Sequence, residues 1–168
     1  NGFASTGLSL HTGAFTQPGG TITATGNNFG TGINLNTGAF TQSGGAITAT
    51  GNTGSGIYLD SGSFSQSGGT ITATGNGGTG NFSRGSGIYL DSGAFTQSGG
   101  TITATGNGGS GFSAYGYGIY LYSGSFTQSG GAITATGEND SFGIFLYRGS
   151  FTQSGGAITA TGNGGAGR

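Results

Sequence analysis

The chain contains no cysteine, which excludes both a disulfide frame and a thiolate metal site. Charge is nearly absent as well: Asp, Glu, Lys and Arg make up 4% of the residues, for a net charge of −1. That leaves no electrostatic footprint for a nucleic acid or for an anionic membrane surface, both of which are held through clustered Lys and Arg. No run approaches the ~18 apolar residues of a membrane span, and no charged-then-apolar leader opens the sequence. Membrane insertion and nucleic-acid binding are therefore not expected.

Glycine, by contrast, is abundant, with 44 residues in 168. It does not recur at every third position, so a collagen triple helix is excluded. Nor does the composition fit disorder, since twelve Phe and seven Tyr recur at fixed places and a disordered chain is usually poor in such residues.

The pattern behind these numbers is an internal repeat. The block Gly-Gly-(Thr/Ala)-Ile-Thr-Ala-Thr-Gly begins at Gly19, Gly44, Gly68, Gly99, Gly130 and Gly155, at intervals of 25, 24, 31, 31 and 25 residues. Such periods mark a solenoid, whose units bury their apolar sides only against their neighbours. Eighteen residues keep constant length in each unit, as in Ile57 to Thr74, and length varies only in the linker to the next Ile or Leu. One loose corner and two tight ones are expected.

Three segments with alternation of period two fill the constant part. Ile57 and Leu59, Phe64 and Gln66, and Ile71 and Ala73 are expected to point inward. Tyr58, Asp60, Ser63, Ser65, Thr70, Thr72 and Thr74 alternate with them and face out. Ser61-Gly62 and Ser67-Gly68-Gly69 form the tight corners, where glycine permits sharp bends. Period-two alternation with β-branched residues speaks against helix. The expected fold is all-β: one parallel β-helix over 1–168, of six repeats with three short strands each. At about 4.8 Å per coil the rod is roughly 29 Å long.

In such a stack like residues lie over like. Phe15, Phe40, Phe64, Phe95, Phe126 and Phe151 predict a column of rings. The inward column from Gln17 to Gln153 predicts either an amide-to-amide ladder that fixes the register, or partly hydrated corner residues. Near-absence of charge fits the same geometry, because a charge repeated in every coil would face its own copy.

The unit Gly56-Ile57-Tyr58-Leu59, Ser61-Gly62-Ser63-Phe64 and Ser67-Gly68-Gly69-Thr70-Ile71 resembles the repeats of right-handed parallel β-helix surface proteins, the large adhesin-like proteins of bacteria and archaea. The resemblance runs through the whole chain and implies a right-handed coil at the cell surface or outside the cell. This chain departs from the pattern in its Thr-Ala-Thr before Gly-Asn, which lengthens the third strand, and in showing no capping segment.

Groups capable of chemistry are few. Asp60 and Asp91 fall on successive coils with Arg84 between them, a spacing that suggests a glycosidase pair, yet no apolar pocket is expected there to set their acidities apart. The calcium pattern of nonapeptide rolls and the Lys of a phosphate loop are both missing. No enzymatic activity, cofactor or metal is expected.

Other features bear on recognition. Thr23, Thr25, Thr48, Thr50, Thr72, Thr74, Thr103, Thr105, Thr134, Thr136, Thr159 and Thr161 form two outward files on one face. The arrangement is similar to the face of several ice-binding proteins, although Thr ladders also stabilise exposed sheets. Asn81 and Asn139 head N-glycosylation sequons in the variable corner. Phe3, Phe29, Phe82, Phe112, Tyr115, Tyr117 and Phe142 occupy that corner as well, either folded over the coil or forming an apolar ridge. The file Tyr58, Tyr89, Tyr120 and Phe145 raises the same choice and, if exposed, suits a carbohydrate-binding adhesin.

The expected function is that of a structural, filament-forming or stalk-type protein. Both termini fall at the same phase of the repeat, as in a processed chain or a window of a longer array. Uncapped coils then extend either by head-to-tail assembly of copies or by covalent continuation. Ice binding is the alternative from the Thr face, and glycan binding from the Tyr file.

Overall fold

A computed structural model describes residues 5–28, 30–81 and 83–164. All regular structure in it is β. The first coil comprises β1 (Leu8–Leu10), β2 (Ala14–Gln17) and β3 (Thr21–Gly26), and the second β4 (Ile33–Leu35), β5 (Ala39–Gln42) and β6 (Ala46–Gly51). The third contains β7 (Ser55–Leu59), β8 (Ser63–Gln66) and β9 (Thr70–Asn76), and the fourth β10 (Arg84–Leu90), β11 (Ala94–Gln97) and β12 (Thr101–Asn107). The fifth contains β13 (Tyr115–Leu121), β14 (Ser125–Gln128) and β15 (Ala132–Glu138), and the sixth β16 (Phe142–Leu146), β17 (Ser150–Gln153) and β18 (Ala157–Gly162).

Corresponding strands of successive coils pair in parallel, giving three sheets of six strands. Equivalent positions of the repeat are partners throughout, and inward ones are alike, as Phe95 is with Phe64 and Phe126; so is outward Thr103 with Thr72 and Thr134. The fold is a three-sided parallel β-helix of six coils. We call the sheets first, second and third in the order the chain enters them.

The inward residues form a continuous core. Phe64, Phe95 and Phe126 are 0% exposed, and their rings stack with centroids 4.7 Å apart and planes within 5°. Each such ring contributes roughly 1.5–3 kcal/mol by burial. Ile57, Leu59, Ile71 and Ala73 and their equivalents close the cross-section.

Glycine is required at two places. Gly69, at the second corner, has φ +78°, a conformation that costs an L side chain energy and glycine nothing. Gly87 lies where the first sheet passes against the third, and a Cβ there would sit 2.6 Å from the Thr105 amide nitrogen and 2.7 Å from the Gly118 carbonyl oxygen. Backbone meets backbone along this seam.

The structure corrects two expectations. The inward glutamines do not bond to one another. Gln97 Nε2 donates to the carbonyls of Gly100 and Ala132, each at 3.3 Å, and Gln17, Gln42, Gln66 and Gln128 repeat the pattern. Each amide thus ties the corner of its own coil to the third strand of the next. Turning the amide over would set its oxygen against two acceptors, so the orientation is fixed. It leaves Oε1 buried with no protein partner in these five residues. The side-chain ladder lies instead at the loose corner, where Asn107 Nδ2 donates to Asn76 Oδ1 at 2.7 Å, Asn76 to Asn52 at 3.2 Å and Asn52 to Asn27 at 3.0 Å.

Secondly, the first-sheet strands of the third to sixth coils begin before the expected Ile. In the fourth and fifth coils β10 starts at Arg84 and β13 at Tyr115. The two long linkers also pair with each other, through Gly77 N–H to Asn107 O at 2.7 Å and Tyr115 N–H to Ser83 O at 3.1 Å.

Candidate functional site: the three outer faces

The first sheet and the third sheet present different chemistry to solvent. On the first sheet the outward column reads Ser9, Asn34, Tyr58, Tyr89, Tyr120 and Phe145. The Tyr89 ring stacks on Tyr120 at 4.9 Å and meets Tyr58 tilted by 41° at 5.1 Å. Tyr117 folds over Tyr120 at 4.9 Å and lies near Phe142 and Phe145, leaving Tyr117 and Tyr120 each 5% exposed. Tyr115 stays close to Tyr117, whereas Phe112 is exposed. Of the aromatics in the loose corner, Phe3, Phe29 and Phe82 lie outside the described residues. Of the file, Tyr120 is buried and Tyr58, Tyr89 and Phe145 are half-buried.

The neighbouring first corner carries His11, Asn36, Asp60, Asp91, Tyr122 and Tyr147 in one column. Asn36 Nδ2 lies 2.8 Å from His11 Nδ1, Tyr122 stacks on Tyr147 at 5.1 Å, and Arg148 sits 5.3 Å from the Tyr147 ring centroid. Tyr58 donates its hydroxyl to Asp91 Oδ2 at 3.5 Å. Burial first, and the Asp91 and Asp60 charges second, push the Tyr58 phenol up to about 12. Burial and the Asp91 charge raise Tyr89 likewise. Burial raises the Tyr117 and Tyr120 phenols as well, and the Arg84 charge opposes the rise in Tyr89, Tyr117 and Tyr120. Among the described residues no group of three or more His, Asp or Glu gathers to hold a metal ion.

The loose corner holds both sequons. Asn81 is exposed and its Oδ1 accepts the Phe112 N–H at 3.1 Å. Asn139 is exposed with φ +64°, and its Nδ2 donates to the Gly108 carbonyl at 3.3 Å. A cleft of about 430 Å³ beside Asn81 is lined by Thr53, Gly78, Thr79, Gly80, Ser83 and Arg84.

The third sheet is uniform. Thr23, Thr48, Thr72, Thr103, Thr134 and Thr159 are all exposed and paired coil to coil. The parallel file Thr25, Thr50, Thr74, Thr105, Thr136 and Thr161 is half-buried in its four middle members and exposed at both ends. A third outward column, beginning at Thr21, reads Thr, Ala, Thr, Thr, Ala, Ala. None of these three columns carries a charge. On one flank runs the Asn ladder, in which Glu138 replaces Asn in the fifth coil and accepts Asn163 Nδ2 at 2.8 Å. The expected Thr array is thus assembled as one surface, whereas the Asn ladder beside it was not anticipated. Its signal was the Asn that follows each Thr-Ala-Thr-Gly except at Glu138.

Comparison of the chain with protein-family models, with curated proteins and with solved structures finds no match in any of the three. Function is therefore argued from the geometry.

Proposed function

We propose that the protein is a non-enzymatic structural rod, part of a filament or stalk at the cell surface, lengthened by laying coil on coil. One observation carries this reading: the strand register and the inward residues repeat from coil to coil in all three sheets. A coil with the register of β1–β3 therefore continues the sheets beyond β16–β18, whether it belongs to the same chain or to a second copy. Apolar columns that are fully buried in the middle coils are only half-buried at Leu8, Phe15, Ile144 and Phe151, and a further coil would cover them. Contact of this kind between copies is head-to-tail and does not close, so it produces a fibre. The cell-surface setting rests on the resemblance of the repeat to surface β-helices.

Electron microscopy and sedimentation of the purified chain test the reading. Filaments of constant width whose length grows with protein concentration are expected. A chain that stays monomeric at high concentration overturns end-to-end extension.

A further inference from the structure

We infer that the Thr face of the third sheet is a binding surface for ice. Each outward position occurs in six copies within this one chain. All six occupy the same place in the same fold, so a column varies freely when strand formation is its only duty. Outward columns elsewhere do vary. The first sheet accepts Ser, Asn, Tyr and Phe at the Tyr89 position, and the second sheet accepts Thr or Ser at the Thr96 position. Within the third sheet, two residues before Thr103, the outward column alternates between Thr and Ala. The columns through Thr103 and Thr105 are Thr in all six coils. Strand propensity and Thr–Thr pairing act equally on the column at Thr101 and do not separate it from its neighbours.

The partner is set by what the face contains. Each Thr supplies one hydroxyl, which both donates and accepts, and one methyl. These units repeat at about 4.8 Å along the rod and at roughly 6.6 Å along each strand. A complementary surface is uncharged and periodic in two directions over roughly 24 Å, five coil spacings. The face holds no ring to stack on a sugar, and no carboxylate or guanidinium to bind an ion or peptide. An ice plane meets each condition, since its water molecules present donors and acceptors in a fixed two-dimensional lattice. This inference is independent of rod extension and stands or falls on a different readout.

The test uses the purified chain with slowly growing ice. Wild type is expected to partition into the ice and to show thermal hysteresis with faceted crystals. Thr72→Tyr with Thr103→Tyr should abolish both, while Ser65→Tyr with Thr96→Tyr on the second sheet should leave both intact, with unchanged circular dichroism in each. If the tyrosines disturb the coil, the single Thr103→Lys replaces them and should likewise reduce partition. Exclusion of wild type from ice, equal loss on both sheets, or full retention after Thr72→Tyr/Thr103→Tyr overturns the assignment. So does binding to microcrystalline cellulose or chitin without partition into ice.

Discussion

The first and third sheets share one backbone plan and one core, yet their outer surfaces have diverged. From the first coil to the sixth, the first sheet changes from Ser9 and Asn34 to Tyr120 and Phe145, and its corner from His11 to Tyr147. Its exposed chemistry is local, with rings stacked on rings, a phenol against a carboxylate, and Arg148 near a tyrosine. Thr103 and its partners differ in nothing from coil to coil. A β-helix therefore constrains its inward residues and its glycines tightly but leaves outward positions free. Uniformity at an outward position is information about what lies outside the rod.

The largest expected effect falls on the seam that both faces share. Gly87→Ala places a Cβ against backbone of the first and third sheets at 2.6–2.7 Å, where no side chain can yield. We expect no cooperative unfolding transition in circular dichroism, or a loss of more than about 4 kcal/mol. A near-native melt would mean that the two sheets approach less closely than described.

Next comes the core, which underlies the two faces equally. Phe95→Ala removes a ring with 0% exposure from between two stacked neighbours, and should cost about 3–5 kcal/mol in denaturant unfolding. A loss under about 1 kcal/mol would show that the stack is not close-packed.

A third difference is electrical, because the first sheet carries tyrosines and the third sheet has none. A phenol whose folded pKa is raised stabilises the fold fully below the unfolded value, near 10. That stabilisation is lost as pH climbs through the folded value, about 12 for Tyr58. Melting temperature should hold steady to about pH 10 and fall between about 10 and 12, with a smaller fall in Tyr58→Phe. A profile that is the same in both proteins would separate alkaline unfolding from this phenol.

The smallest effect is expected on the third face. Thr103→Tyr alone should change stability by about 0.5 kcal/mol or less, because the residue is exposed and its backbone pairing does not depend on the side chain. A destabilisation of several kcal/mol would assign the Thr files to structure and weaken the case for an external partner.

Much of this architecture is readable from residue spacing. The alternation at Ile57, Leu59, Phe64, Ile71 and Ala73 predicts which side chains are buried, and the repeat predicts their register, because hydrophobic pattern and period act on the whole coil at once. The hydrogen bonding of single amides is less readable. Gln97 has backbone carbonyls of its own corner and of the next coil within reach, and in a core the backbone acceptor must be satisfied before a side-chain ladder can form. The Asn ladder was missed for another reason: Asn52, Asn76 and Asn107 stand at a fixed place after the constant block, but only the structure shows their amides bonding from coil to coil. The Thr face was visible as a pattern, but the contrast in exposure between Thr103, which is exposed, and Thr105, which is half-buried, was not.

The claim beneath both functional readings is that like residues of successive coils lie directly over one another. Spin labels attached at Thr72→Cys and Thr134→Cys, in a chain that has no other cysteine, measure this directly. Two coil spacings predict backbone sites about 10 Å apart and strong dipolar broadening between the labels. Labels separated by well over 20 Å would contradict the stacked register and, with it, the account of the rod and its Thr face.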